Sequence, residues 1–408
     1  MGHSIAEWFG GLGLPILSVV GVMAIAGLFV GKLAGLAHLP SIIGFMIVGV
    51  VIGPSLLGIL DLEVQRSLGF LSNIALGFVA LSIGLELKFR TLRNLGSGIA
   101  AVILGEALVA SILVTIAVYL VSRDLGLAIL FGALAPASAP AGTVAVIKEY
   151  RASGRLTQAL YAVVGFDDGL GIVIFGFASA VVKAMTTGDG GIGTLLFSPL
   201  IEIGLSVIVG VAIALLYGLI LRKLEQGRDV FIVTFGVVLL TIGVSEALGI
   251  SIIFTNLVVG VAVVNTQRER VTKPIGANLN VMPLLFLLFF ILAGANLHID
   301  ALPALGLIGI AYIFARAIGK ISGAWLGATI GRTERKIRNL TGLGILSQAG
   351  VAIGLALVVK EEFGSLNEWG ARAGDIVITT ITATSIVFET VGPLLAKLAL
   401  KRAGEIPE

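Results

Sequence analysis

Apolar stretches of about 20 residues recur along the whole chain, too long and too many for the core helices of a water-soluble domain. "LPILSVVGVMAIAGLFVGKLAGL" (14–36), "AVILGEALVASILVTIAVYLV" (101–121) and "IGLSVIVGVAIALLYGLIL" (203–221) are three of them. Each is long enough to cross roughly 30 Å of hydrocarbon as a helix. No water is available there, so every backbone N–H and C=O must be satisfied within the protein. The reading is an all-α polytopic membrane protein. Only 12% of the 408 residues are charged, about half the share in a soluble domain. The 55 glycines suit the close approach of membrane helices. Cysteine is absent, which excludes disulfides and thiolate metal sites. A net charge of +3 gives no ground for a nucleic-acid partner. Met1–Gly13 has no basic n-region, so no cleavable signal peptide is expected.

Charged or Gly/Pro turns divide the chain into about thirteen spans: 14–36, 40–60, 68–87, 97–121, 125–147, 157–182, 198–221, 229–248, 250–266, 279–295, 302–330, 339–360 and 375–398. No second domain or low-complexity linker interrupts them, so 1–408 reads as a single transporter domain. Cytoplasmic connections collect Lys and Arg, which tests the count. With the N-terminus outside, alternate connections take 20 of the 27 basic residues, Arg268, Arg270 and Lys273 among them. Only Arg66, Arg123, Lys183, Lys360 and Arg372 fall on the other side, and Arg316 and Lys320 lie within a span. A wrong count would scramble this alternation. The chain therefore reads as N-out and C-in.

Thirteen spans divide into six (about 14–182), one connector (about 198–221) and six (about 229–398). Halves separated by an odd helix must be inverted relative to each other, an arrangement common in secondary transporters. Spans four to six should then correspond to spans eleven to thirteen. Span five holds "LAPASAPAGTVAV" (134–146), where Pro136 and Pro140 each remove a backbone donor. Span twelve holds "GLGILSQAGVAIG" (342–354), interrupted by glycines and by Ser347-Gln348. Two broken helices at matching places are expected. Irregular backbone at this depth must face protein or a wet cavity.

Seven ionisable residues fall inside spans or close to it: Glu106, Asp167, Asp168, Glu246, Arg316, Lys320 and Glu389. Each costs about 2.5–3.5 kcal/mol on insertion scales when near a helix centre. Five acids against two bases leave negative charge to be met by protons, cations or water. Asp167 and Asp168 point about 100° apart on a helix, so one can face a cation while the other meets a base. Lys320, about mid-span, is the leading candidate for that base. Arg316, one turn away on the same face, is expected to form a structural ion pair with Glu106 or Glu389. Glu246 lies near a span end and reads as interfacial. His3, His38 and His298 sit at chain or span ends and form no ligand cluster.

These residues resemble the monovalent cation/proton antiporters, particularly the bacterial sodium/proton exchangers of the Asp-Asp, electrogenic type. "LPSIIGFMIVGVVIGPSLLGIL" (39–60), "ALGFVALSIGLELKFRTLRNLG" (75–96), "FDDGLG" (166–171), "RAIGKISGAWLGA" (316–328) and "FETVGPLLAKLALKRAGE" (388–405) carry the similarity through most of the chain. The resemblance implies a core domain that slides, elevator-like, against a scaffold through which two copies dimerise. It implies that the broken helices cross at the site. Asp168 then resembles the carboxylate that binds either Na+ or a proton, and Asp167 the acid that pairs with Lys320. Aspartate at the first position implies more than one proton per cation. The family's usual Thr-Ser at the first break reads Ala137-Ser138-Ala139 here. Ser138 and Thr143, with Ser347 and Gln348 at the second break, become the candidate ligands.

The resemblance implies transport in the inner (plasma) membrane, with cation, proton and lipid as partners, no cofactor and no enzymatic step. A K+/H+ exchanger or channel-like K+ efflux protein is the alternative. Against it, the second break reads "SQAGVA", without the glutamate of "SQGGEF", and the first acid is Asp rather than Gln. A sodium-coupled organic-anion carrier is a further alternative, but such a carrier has no need of the Asp-Asp/Lys set.

Overall fold

The computed structural model describes residues 15–36, 41–54, 56–60, 62–187, 192–224, 227–267, 281–295 and 306–407. His3, His38, His298, Arg268, Arg270 and Lys273 lie outside them. Among the described residues there are helices and turns but no strand. The first half contains α1 (Ile16–Leu36), α2 (Ser41–Ile52), the short α3 (Leu62–Ser67), α4 (Gly69–Glu86), α5 (Phe89–Ser122), α6 (Leu125–Leu134), α7 (Pro140–Glu149) and α8 (Arg155–Thr187). Next come α9 (Ile192–Leu221), α10 (Gly227–Leu248), α11 (Ile252–Thr266), α12 (Met282–Ala295) and α13 (Gly306–Ile330). The chain closes with α14 (Arg335–Gly344), α15 (Gly350–Gly364) and α16 (Glu368–Ala403).

Helices α1, α4, α5, α8, α9, α10, α13 and α16 are each long and apolar enough to cross a membrane unaided. The shorter α2, α11 and α12 fill the expected spans two, nine and ten. Spans five and twelve are each split, as α6–α7 and α14–α15. Each apolar run expected to span is thus matched by a helix or by a split pair of helices. Capping fixes several ends. The Asp124 side chain accepts from Leu127 N, Ser251 from Phe254 N and Asn367 from Gly370 N. Gly96, at φ 80°, breaks the start of α5 from its membrane portion.

The most extensive helix contact is between α5 and α13, spans four and eleven. Span two packs on span ten (α2–α12) as span nine packs on span three (α11–α4), the reciprocal pairing an inverted repeat produces. The main apolar core runs through α4, α6, α8, α11, α12, α15 and α16. It surrounds the two broken crossings and holds their irregular backbone away from lipid, as a membrane interior requires.

Candidate functional site

The site forms where the two interrupted crossings meet. Pro136 offers no N–H, so the helix begun at Leu125 ends before it. The chain becomes helical again at Pro140, the helix position where a missing N–H costs least. The second break, Ile345–Ala349, lies between Gly344 and Gly350. The breaks bond to one another. Ala139 N donates to Ser347 O at 2.9 Å. Ser138 Oγ donates to Ile345 O at 3.2 Å, and Thr143 Oγ1 to Gly344 O at 2.8 Å. Two helix C-terminal ends and two N-terminal ends are thereby brought together.

Two cations from α13 answer the C-terminal ends. Arg316 Nε donates to Ala135 O at 3.0 Å, Nη1 to Leu346 O at 2.8 Å and Nη2 to Ala137 O at 2.9 Å. Its guanidinium carbon lies 4.4 Å from the centre of the Phe388 ring. Lys320 Nζ donates to Pro136 O at 2.6 Å and to Ser138 Oγ at 2.7 Å. Carbonyls past a helix C-terminus carry partial negative charge, which favours cations there.

The ion pair of Arg316 with Glu106 or Glu389 is not what the structure contains. Among the described residues no carboxylate bridges to Arg316. Its rigid fork of donors fits three carbonyls on two separate breaks. Without it, Ala135 O and Leu346 O would lose their partner, and Ala137 O would keep only Gln348 Nε2 at 3.5 Å. Glu106 goes instead to Lys320, with Oε2 2.8 Å from Nζ. Glu389 is buried, and its Oε1 accepts from no donor.

Asp167 and Asp168 face different surroundings. Asp167 Oδ2 accepts from Ser138 Oγ at 2.7 Å and from Lys320 Nζ at 3.2 Å. Asp168 is 6% exposed, with an Oδ1 that accepts from no donor. Of the other candidate ligands, Thr143 is spent on the second break. Gln348 Nε2 donates to Tyr312 OH at 2.8 Å and to Leu134 O at 3.2 Å. The Ser347 hydroxyl is buried without a partner. Asp168 Oδ1 and the Ser347 hydroxyl therefore stand without a hydrogen bond at the crossing, as do Asp167 Oδ1 and both oxygens of Glu106.

Distant contacts set the register of α8. The Glu405 carboxylate accepts from Leu156 N, Thr157 N and Thr157 Oγ1, each at 2.8 Å, and so caps the helix that carries both aspartates. At its other end, Lys183 reaches Glu362 of α15 at 2.8 Å and Glu202 of α9 at 3.6 Å. Near these residues an acidic cleft of about 370 Å³ is lined by Asn73, Glu246, Glu361, Glu362 and Ser365. Glu246 lies exposed there, where Asn73 Nδ2 donates to it at 3.1 Å.

The position of Glu106 was unforeseen, although a signal for it exists. Gly319, Gly323, Gly327 and Gly331 recur at four-residue intervals, the spacing that lets membrane helices touch. A Cβ added to Gly105 would lie 2.6 Å from Gly323 O. Lys320 follows Gly319 and Glu106 follows Gly105, so backbone contact brings the two charges together. Tyr312, the partner of Gln348, had no such signal.

The model of the family described as "Sodium/hydrogen exchanger, transmembrane" matches residues 20–399 of this chain. "Probable Na(+)/H(+) antiporter 3" of Methanocaldococcus jannaschii is 26% identical over 372 residues, covering 88% of this chain and 90% of the relative. "Na(+)/H(+)-K(+) antiporter GerN" of Bacillus cereus is 22% identical over 322 residues, covering 78% of this chain and 81% of the relative. Among solved structures, the sodium proton antiporter MjNhaP1 of Methanocaldococcus jannaschii at pH 8 superposes with a TM-score of 0.75. That likeness, at 20% identity, covers 96% of this chain and 99% of the other, and it speaks to the fold.

Proposed function

The chain belongs to the sodium/hydrogen exchanger family, and from that premise we propose that it exchanges protons for sodium across the membrane. One observation carries the reading: the buried Asp168 carboxylate has an oxygen with no donor, beside two crossed helix breaks. A carboxylate so placed binds either a proton or a cation, and each excludes the other. Either load neutralises the site. An empty site keeps uncompensated charge in a low-dielectric layer, which opposes crossing. Obligatory exchange follows from that penalty.

In this reading α5–α8 and α13–α16 form the moving core and carry the site past a scaffold built from α1–α4 and α10–α12, with α9 as connector. Two copies pair through the scaffold. The distribution of basic residues supports a plasma-membrane orientation with the N-terminus outside. Two adjacent aspartates support electrogenic exchange, more than one proton per cation. Potassium is the second cation to test, since the name of the Bacillus relative includes it.

Asp168→Asn keeps the shape and removes the charge. In proteoliposomes it is expected to reduce sodium-driven proton flux to that of empty vesicles. Flux within tenfold of the unsubstituted protein would sink the assignment.

A further inference from the structure

Lys320 has three N–H donors and four acceptors within reach. Pro136 O lies at 2.6 Å, Ser138 Oγ at 2.7 Å, Glu106 Oε2 at 2.8 Å and Asp167 Oδ2 at 3.2 Å. Its three hydrogen bonds go to Pro136 O, Ser138 Oγ and Asp167 Oδ2, with Asp167 the most distant acceptor, while Glu106 Oε2 stands against it as an ion pair without a hydrogen bond. If Asp167 leaves, Lys320 keeps two hydrogen bonds and the opposite charge of Glu106 at 2.8 Å. Asp167, in turn, keeps its 2.7 Å bond from Ser138.

Glu106 is placed for this and for little else. It is fully buried, and neither carboxylate oxygen accepts a hydrogen bond, Oε2 meeting Lys320 as an ion pair at 2.8 Å. The neighbouring Gly105 packs against Gly323 and Gly327 of α13, so the backbone under the carboxylate cannot recede from Lys320. A buried ammonium without a counter-charge is costly. With Asp167 as its only acid, Lys320 would hold that acid against any incoming cation.

We propose that Glu106 is a positioning residue, the resident counter-ion that keeps Lys320 paired while Asp167 turns to the transported cation. The proposal rests on the exchange reading above and deepens it. Lys320 stays paired throughout, and Asp167 is released to join Asp168 at the cation.

The test is sodium-dependent proton flux in proteoliposomes for the unsubstituted protein, Glu106→Asp and Glu106→Gln. Glu106→Gln is expected to raise the apparent KM for sodium at least tenfold, with turnover at saturating sodium within threefold. Glu106→Asp keeps the charge on a shorter stem and is expected to raise KM two- to fourfold. A merely structural glutamate would lower the folded fraction and the maximal rate but leave KM alone. An unchanged KM in either variant, or a lower KM in Glu106→Gln than in Glu106→Asp, overturns the proposal. Should Glu106→Gln not fold, Glu106→Asp decides by the same criterion. Absence of exchange in the unsubstituted protein would count against the proposed function instead.

Discussion

The two helix breaks look alike in outline, yet they are satisfied in opposite ways. At the first, the carbonyls of Ala135, Pro136 and Ala137 all accept from cations of α13. At the second, Leu346 O accepts from Arg316, while Ile345 O and Gly344 O accept hydroxyls from the first break. Its own Ser347 hydroxyl is left over. The first break is thus tied down by charge. The second takes one charged donor, at Leu346 O, is otherwise tied to the first by neutral bonds, and keeps an unused ligand. Ion pairs and charge-assisted bonds are the stronger anchors, so the first break reads as the fixed floor of the site and the second as its adjustable wall.

The largest test of this asymmetry is Arg316→Leu. It leaves Ala135 O on the first break and Leu346 O on the second without a donor, and Ala137 O with only Gln348 Nε2 at 3.5 Å. A loss of stability of about 4 kcal/mol is expected, since each unmet buried acceptor costs roughly 1–3 kcal/mol. Thermal unfolding in detergent measures it. A shift no larger than that of a surface arginine would break the comparison.

Thr143→Val tests the neutral tie. It keeps the volume and removes one hydrogen bond, leaving Gly344 O unanswered. The expected cost is about 1 kcal/mol, clearly below that of Arg316→Leu. Equal losses in the two variants would mean that charge does not distinguish the breaks.

Ser347→Ala is the smallest. The hydroxyl has no partner to lose, so stability should stay within about 0.5 kcal/mol. If the hydroxyl serves as a ligand, the sodium KM rises twofold or more while melting is unchanged. An unchanged KM would remove Ser347 from the cation's ligands and leave the carboxylates of the crossing to bind it.

Much of this was legible in the residues. Runs of apolar sequence located the crossings, because hydrocarbon admits no unpaired backbone. Pro136 and Pro140 announced the first break for the same reason, and the opposed directions of Asp167 and Asp168 follow from helix geometry. Partner choice was not legible. Arg316 is the same distance along the chain from the acids as Lys320, give or take a turn, and nothing local says that it ends on carbonyls. Glu405, far from α8 in sequence, caps it through the fold.

The sequence by itself determined that the chain is an all-helical membrane protein that buries acids beside bases. Those facts depend on local periodicity and on the cost of charge in lipid. Only the tertiary structure decided that Lys320 lies between Glu106 and Asp167 while Arg316 bonds to both breaks. Pairing between α5 and α13 is a matter of where glycines let backbones meet, and acids on several helices compete for the same few donors. Distances of a few tenths of an ångström choose among them, and no one-dimensional pattern encodes such distances.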